Sequence, residues 1–254
     1  MKGSSFLFLV VWAASCQSEE SPSINPVQPS QSEIPQTGDL ESRARRHAEA
    51  QLQIPVNEQY RMHLYRAHLD PDGKEDGVIT VNRLNHALYA ASKDAKAAKL
   101  AEIGFMGNHN IMFFYDGGLD KISNAIAIPS SPYLPLDIAF ASITNPAYQD
   151  ILVTYRIRNS GFRTFFTIIN HMPSRFFEWP EFDGIGTPNA EAFAFEFVQT
   201  ARQSRKNIQI YAANIYLSDT VKNYYIARPK IIKSPMMLRE FFYLPAKQAY
   251  VTKK

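Results

Sequence analysis

The stretch that decides the fold class is DILVTYRI at Asp150–Ile157, which is followed by RTFFTII at residues 163–169. Both segments are rich in β-branched and aromatic residues, which favour extended strands. Asn159 and Gly161 lie between them, and these residue types tolerate the positive φ angles of tight turns. The pattern therefore predicts two strands joined by a short turn.

Similar segments recur along the chain, and one segment differs from them. Residues 84–100 are rich in alanine and contain neither Gly nor Pro, which predicts a helix. We therefore expect a mainly β fold, built from propeller-like or sandwich-like antiparallel repeat units, with one inserted helix around residues 84–100. Besides the two segments above, strands are predicted at residues 77–82, 111–115, 193–197, 208–211, 224–226 and 241–244.

An internal repeat supports this expectation. Asp76 and Asp150 lie 74 residues apart, and each precedes a strand that leads to a second, aromatic strand. A single hairpin cannot bury its apolar face alone, so two or three such units would stack or surround an axis. The alternative is that two unrelated strands both follow an acidic turn.

The N-terminus carries a targeting pattern. Lys2 is followed by an apolar run at residues 6–12 that is too short to span a bilayer, and then by small residues at 13–15. Cys16, the only cysteine in the chain, comes next. The pattern resembles a bacterial lipoprotein signal, which implies a signal peptide at residues 1–15, acylation of Cys16 with palmitate-type chains and attachment to a membrane. The alternatives are an ordinary secretory signal or a helix of the domain.

A polar segment separates Cys16 from the folded part. Residues 16–53 are rich in Ser, Pro, Gln and Glu, which predicts a disordered tether. Its start, QSEE at residues 17–20, resembles the export signal of Bacteroidota surface lipoproteins; the alternative is a solvated acidic spacer. A short charged helix is predicted at residues 41–49, and residues 54–254 are expected to form one β-rich domain. The resemblance implies a cell-envelope protein that is anchored to the outer membrane by its lipid. Exposure of the protein at the cell surface is one of the options that it leaves open.

Charge and motifs exclude several classes of function. The net charge of +3 gives no basis for a polyanionic partner, so nucleic acid is not expected. The chain contains no Gly-x-Ser-x-Gly elbow, no His-Glu-x-x-His motif and no phosphate-binding glycine loop. With a single cysteine, no disulfide forms within the chain.

The segment HLDPDGKEDGVI at residues 68–79 carries the densest chemistry. Alternating carboxylates around a Gly turn suit a hard cation, which takes several oxygen ligands. The segment resembles the calcium loops of FG-GAP or VCBS repeats, the blades of integrin-like propellers. That resemblance implies side-chain ligands from Asp70, Asp72 and Asp76, a carbonyl ligand from Lys74, and calcium as cofactor. The sequence departs from the family at His68 and Pro71, and the alternative is a metal-free turn.

A second candidate surface is formed by Trp179, Glu178 and Arg175, which we expect to bind a partner, and Glu181 and Asp183 lie nearby. Two functions remain open. We expect a non-enzymatic, lipid-anchored protein that binds a protein or glycan partner outside the membrane. The alternative is a secreted-type hydrolase of polysaccharide or peptidoglycan, whose two carboxyl groups would face each other across a pocket at about 5–10 Å. In a binding protein they would diverge or pair with arginine.

Overall fold

The computed structural model describes residues 38–94, 108–201 and 203–252. The predicted signal peptide, Cys16, the tether up to residue 37 and residues 95–100 of the predicted helix lie outside these ranges. The described elements are α1 (Leu40–Gln51), β1 (Arg61–Ala67), β2 (Asp76–Asn82), α2 (Leu84–Lys93), β3 (Asn110–Asp116), β4 (Lys121–Ile122), β5 (Ile126–Ala127), β6 (Asp137–Ala141), β7 (Asp150–Ile157), β8 (Ser160–Ile169), β9 (Met172–Asp183), β10 (Glu191–Val198), β11 (Asn207–Tyr216), β12 (Lys230–Leu244), a short 3-10 helix (Pro245–Lys247) and β13 (Ala249–Thr252).

The strands form two antiparallel sheets. The first has the order β1-β2-β3-β4, with β5 also paired to β3, and the second runs from β6 to β13 in chain order. The prediction of a mainly β, antiparallel fold is confirmed. Within the described ranges the strands form no closed ring of blades.

The first sheet is buried on both faces, and every residue of β2 is buried. On one face, Ala44 and Ala48 of α1 pack against Phe113 and its neighbours. On the other face, Phe114 shares a core with Val153 from the second sheet. The two sheets therefore pack against each other through common apolar side chains, and α1 covers the opposite side.

The far half of the second sheet curls on itself around aromatic side chains. Tyr250 of β13 lies 5.6 Å from Phe176 of β9, measured between ring centroids, although three strands separate these two in the sheet. Phe165 of β8 contacts Phe195 at 5.8 Å and Phe177 at 5.4 Å. This enclosed cluster explains why the sequence is rich in phenylalanine, because edge-to-face rings fill the interior of the curl.

The two predicted helices begin where the sequence placed them. Helix α2 starts at Leu84 and ends at Lys93, where Asp94 is extended, so it is shorter than the helix predicted around residues 84–100. Helix α1 covers the helix predicted at residues 41–49. Asp39 caps α1 by accepting a hydrogen bond from the Ser42 N–H at 2.9 Å. Because α1 packs onto the first sheet, the folded part begins before residue 54, where the sequence analysis had placed the domain boundary. Two alanines on one face of a charged helix gave little signal of this packing.

The strand predicted at residues 224–226 is wrong, because these residues form a turn. They lie in the loop at residues 217–229 that connects β11 to β12. The carbonyl groups of Tyr224 and Ala227 accept hydrogen bonds from the Arg156 side chain and not from a neighbouring strand. Tertiary contacts thus override the β propensity of tyrosine and isoleucine.

The internal repeat appears as two matching hairpins. Ala67 pairs with Asp76 in the hairpin β1–β2, and Ala141 pairs with Asp150 in the hairpin β6–β7. The strand register is the same and the loops, at residues 68–75 and 142–149, are equal in length. The units differ afterwards, since α2 lies between β2 and β3 whereas a two-residue turn joins β7 to β8.

Candidate functional site

The acidic hairpin consists of β1, β2 and the loop at residues 68–75. Asp76 is only 1% exposed, and its two carboxylate oxygens accept hydrogen bonds from the backbone N–H groups of Leu69 and Gly117, each at 2.9 Å. Because these donors belong to the loop and to the segment after β3, Asp76 ties the two together. This role accounts for an aspartate at the first position of β2.

The other predicted ligands shape the loop itself. Asp70 is 7% exposed and accepts a hydrogen bond from the Asp72 N–H at 3.0 Å, while Asp72 accepts one from the Lys74 N–H at 2.7 Å. The Lys74 carbonyl lies 2.8 Å from Nδ1 of His68. The loop thus brings Asp70, Asp72 and Asp76 into one neighbourhood, and the Lys74 carbonyl faces the histidine.

Two residues that the sequence analysis missed complete this neighbourhood. Ligand atoms of Asp70, Asp116 and His171 all lie within 4.8 Å of one another. Nδ1 of His171 is 2.7 Å from Oδ2 of Asp116, whose other oxygen accepts the Leu119 N–H at 2.8 Å. Asp116 follows Tyr115, which pairs with Gly77, so the pairing of β2 with β3 places Asp116 beside Asp76. Predicting that strand pairing from the sequence would have indicated the position of Asp116.

Local backbone geometry brings these groups together. Asn170 and His171 form the two-residue turn between β8 and β9, with φ angles of 50° and 63°. Positive φ at both positions fits the turn type that suits hairpin twist, and Asn and His tolerate it better than most residues. On the other side, Gly117 and Gly118 are required by close approach, since a Cβ atom at Gly118 would collide with the Asp72 carboxylate.

The site carries uncompensated negative charge. Among the described residues, no lysine or arginine forms an ion pair with Asp70, Asp72, Asp76 or Asp116. Burial raises the pKa of Asp70 and of Asp76, and the neighbouring carboxylates raise each pKa further, against backbone hydrogen bonds that lower it. Such a group of carboxylates is stabilised either by protons or by a cation.

The donor set bears on which cation would fit. Calcium takes six to eight oxygen ligands, whereas imidazole nitrogen together with carboxylate oxygen suits Zn²⁺ or Mn²⁺. Asp70, Asp116 and His171 supply two carboxylates and one imidazole. This triad fits a transition metal better than calcium, while the four Asp residues of the neighbourhood would supply oxygen to either.

The second hairpin, formed by β6 and β7, also contains a buried aspartate, but no cluster of carboxylates surrounds it. Asp150 is fully buried and accepts hydrogen bonds from the N–H groups of Ile143 and Thr144 at 2.9 and 2.7 Å, and from the Thr144 hydroxyl at 2.7 Å. The hydroxyls of Thr144 and Thr167 are 3.1 Å apart. Thr144 occupies the position equivalent to Asp70, and Thr167 the position equivalent to Asp116.

Trp179 belongs to the aromatic cluster of the curled sheet. Its ring stacks on Phe177 at 6.4 Å and meets Phe241 edge to face at 5.4 Å. Its neighbours Glu178 and Arg175 lie on the surface and pair with each other at 3.2 Å. The sequence grouped these three residues correctly along β9, but the indole is directed into the apolar cluster and the two charged groups to solvent.

The carboxylates near Trp179 do not face one another. Glu178 accepts a hydrogen bond from the Thr164 hydroxyl at 2.8 Å, whereas Glu181 pairs with Arg163. Arg163 and Thr164 are adjacent in β8, so their side chains point to opposite faces of the sheet. The two glutamates are therefore held on opposite faces, and Asp183 pairs with the Ser160 hydroxyl.

Comparisons with protein families, with curated proteins and with solved structures found no match to this chain. Neither of the helices in the described part of the chain has the length and apolar character needed to cross a membrane.

Proposed function

We propose that this protein is a lipid-anchored, non-enzymatic component of the bacterial cell envelope, whose β-rich domain binds a protein partner outside the membrane. The observation that carries this proposal is an apolar surface along β12, the methionine patch, formed by Ile232, Met236, Met237 and Leu238. Their exposed fractions are 40%, 58%, 48% and 42%. Exposed apolar side chains that recur along one strand are candidates for an interaction site.

The geometry of β12 makes the patch accessible. β13 pairs only with Phe241–Leu244, so among the described strands only β11 lies beside residues 230–240 of β12. The register against β11 shifts between Ala213 and Tyr211, which makes β12 bulge at residues 234–236. The first part of this edge carries Lys230, Lys233 and Pro235, which disfavour pairing with a strand of another chain. The methionines lie after these residues in β12.

A protein partner fits this surface better than a glycan. Methionine side chains are flexible and polarisable, and they adapt to apolar protein surfaces. Glycan recognition uses exposed aromatic platforms, and Trp179 is packed against Phe177 and Phe241 instead. The mixed charges around the patch, with Arg239 and the ion pair Lys233–Glu196, resemble the polar rim of a protein interface.

The pairing of the carboxylates supports a binding role over hydrolysis. A glycosidase needs an acid and a second carboxyl group on the two sides of one sugar. Glu178 and Glu181 lie on opposite faces of the sheet, and Glu181 is neutralised by Arg163. The anchor rests on the sequence around Cys16, and the tether would join the domain to the bilayer. Within this proposal the two hairpin units form a sandwich-like domain.

Site-specific crosslinking tests the binding role. A photoreactive amino acid at Met237 should give one crosslinked protein in intact envelopes, and the same group at Leu119, which is 56% exposed in another part of the domain, should not. Met236→Asp should abolish that product without lowering the melting temperature. Equal crosslinking at both positions, or no product at Met237, would contradict the proposal. Cys16→Ser tests the anchor separately, since the precursor should lose its acyl label.

A second candidate function, cation binding at the acidic hairpin, is favoured by the convergence of Asp70, Asp116 and His171. The proposed ion is a divalent cation, with calcium and a transition metal as the two options. Because the ion would bind the folded form only, it should raise the melting temperature in proportion to the logarithm of its concentration. Asp116 comes from the first sheet and His171 from the second, so such an ion would link them.

The experiment compares Ca²⁺, Mn²⁺ and Zn²⁺ on the wild-type protein, on Asp116→Asn and on Asp72→Ala. The exposed Asp137→Asn is the matched control, because Asp137 is a surface aspartate at the start of β6. A rise with Mn²⁺ or Zn²⁺ that Asp116→Asn abolishes supports the triad. A rise with Ca²⁺ that Asp72→Ala abolishes supports the calcium loop. A melting temperature indifferent to all three ions rules out both.

A further inference from the structure

The loop at residues 217–229, which we name the tyrosine loop, exposes three consecutive apolar residues. Tyr224 is 41% exposed, Tyr225 42% and Ile226 45%. Three adjacent exposed apolar residues are unfavourable in water unless they have a function. None of the loop residues belongs to the methionine patch, and a role of the loop does not require the proposed protein partner.

The loop is held in one shape from inside the domain. Arg156 of β7 is 6% exposed and donates hydrogen bonds to the carbonyls of Ala227 at 2.6 Å and Tyr224 at 2.8 Å. Its guanidinium lies 4.6 Å from the centroid of the Phe182 ring. A buried cation that donates hydrogen bonds to these carbonyls fixes the loop, because moving the loop would remove these partners from the charge.

Apolar side chains anchor both ends of the loop. Leu217, Val221 and Ala227 pack into a cluster with Phe182. Tyr224 lies against Gly186, where a Cβ atom would collide with the phenol ring. The apolar residues that can be buried are therefore buried, and the exposure of Tyr225 and Ile226 follows from the fixed shape of the loop.

The charges around the exposed residues are mostly positive. Lys222 and Arg228 flank them, Lys230 begins β12, and Asp219 is the acidic residue of the segment. None of the three cations forms an ion pair with a described carboxylate, whereas Lys233 farther along β12 is paired with Glu196. A partner that complements this surface must be anionic next to an apolar phase.

We infer that the tyrosine loop docks onto an anionic phospholipid surface. Ile226 would enter the acyl boundary, the two tyrosines would lie at the headgroup level, and the cations would contact phosphates. Tyrosine suits this depth because its ring is apolar and its hydroxyl is polar. A second copy of the chain is a poorer match, since it would bring the same cations to the contact.

A single fluorophore tests this docking. Cys16 is the only cysteine, so the full-length Cys16→Ser chain accepts one label at Tyr225→Cys, with Leu119→Cys as the control position. An environment-sensitive dye is read with vesicles of phosphatidylglycerol and phosphatidylethanolamine, and with vesicles of phosphatidylcholine alone. The apolar N-terminal run is present in every protein, so differences between label positions report on the loop.

We expect the dye at position 225 to brighten and shift to the blue on the anionic vesicles, and the dye at position 119 to stay unchanged. The combined variant Lys222→Gln, Arg228→Gln and Lys230→Gln should lower the vesicle partition coefficient by about 100-fold, since each of the three charges near such a surface contributes about fivefold. High salt should have a similar effect on the unaltered loop.

Several outcomes would overturn the inference. They are an unchanged signal at position 225, an equal signal at position 119, and an equal signal on phosphatidylcholine. A signal that depends on protein concentration without vesicles would assign the loop to self-association. None of these outcomes bears on the crosslink at Met237, so failure of the lipid docking and failure of the proposed protein partner are distinguishable.

Discussion

The two hairpins that begin at β1 and at β6 share their register and loop length but differ in what surrounds the buried aspartate. In the second hairpin, Thr144 and Thr167 place hydroxyl groups around Asp150. In the acidic hairpin, the equivalent positions carry Asp70 and Asp116. A hydroxyl donates a hydrogen bond to a carboxylate, whereas an ionised carboxylate only accepts. The same backbone arrangement therefore surrounds a hydrogen-bonded polar network at the second hairpin and a group of carboxylates at the acidic hairpin.

The two hairpins share one structural hydrogen bond. The aspartate that starts each second strand accepts a loop N–H at 2.9 Å in both hairpins, from Leu69 in one and from Ile143 in the other. That bond fixes the loop and needs no ion. The carboxylates added in the acidic hairpin do not contribute to this bond, and Asp70 and Asp72 instead accept backbone N–H groups within the loop.

The largest expected effect comes from removing the satisfied aspartate. Asp150→Ala leaves two backbone N–H groups unpaired in a fully buried position and removes one acceptor of the Thr144 hydroxyl, which should lower the free energy of unfolding by about 4 kcal/mol. Asp76→Ala leaves two N–H groups unpaired but also removes a repelled charge, so about 2 kcal/mol is expected. Urea denaturation measures both. An equal or larger loss for Asp76→Ala would break the comparison.

Converting the second hairpin into the first should destabilise the protein. Thr144→Asp replaces a hydroxyl donor with a second carboxylate beside Asp150, at an expected loss of about 3 kcal/mol. Thr144→Val is the matched control, because it removes the hydroxyl at similar volume and adds no charge, and it should lose about 1.5 kcal/mol. If the two variants unfold at the same urea concentration, charge repulsion does not account for the loss of stability in Thr144→Asp.

The reverse conversion should stabilise the metal-free protein. Asp70→Thr removes one carboxylate from the cluster and supplies a hydroxyl near Asp76, for an expected gain of about 1 kcal/mol in chelator-treated protein. The same variant should lose any rise in melting temperature that divalent cations give. A loss of stability in the presence of chelator would show that Asp70 is required by the hairpin itself.

The gain from Asp70→Thr should depend on pH. A carboxyl group whose folded pKa is raised binds more protons when folded than when unfolded, so its contribution to stability falls as pH rises through the folded pKa. Burial raises the pKa of Asp70. The stability difference between Asp70→Thr and wild type should therefore be full at neutral pH and shrink as the pH falls toward the ordinary aspartate value. A stability difference that does not change with pH would contradict a raised pKa of Asp70 in the folded protein.

The smallest effect is expected at the turn between β8 and β9. His171→Asn keeps a residue type that tolerates a φ of 63° but removes the contact with Asp116. Because the His171 side chain is 56% exposed, the loss should be below about 1 kcal/mol. Metal affinity should fall much more than stability, and isothermal titration with Zn²⁺ or Mn²⁺ separates the two effects.

Local sequence patterns were sufficient to predict the second strand of each hairpin, whereas the first strands, β1 and β6, were not predicted. Alternating β-branched residues and an initial aspartate located β2 and β7, and the 74-residue offset matched them correctly. The acidic loop was also visible, because Asp70, Asp72 and Asp76 are near neighbours in the chain. These features depend on contacts within about ten residues, for which propensity and turn chemistry are informative.

The completion of the site was not predictable in the same way. Asp116 and His171 are 55 residues apart and meet only because two sheets pack together. Each was visible in the sequence as part of an ordinary turn. The helix α1 was predicted, but its packing was not, since it depends on two small alanines and on contacts of Arg43 and His47 with residues distant in the chain. In each case the missing information was the pairing of distant elements.

The order of strands in the second sheet has a consequence for how the chain acquires its structure. From β6 to β13, every strand pairs with the one made just before it. Contacts of low sequence separation form quickly, because little loop entropy is lost at each step. As the polypeptide emerges with its N-terminus first, from a ribosome or a translocation channel, each new strand finds its template already present. The sheet can therefore lengthen vectorially, and only the return of β13 toward β9 must wait for the last residues.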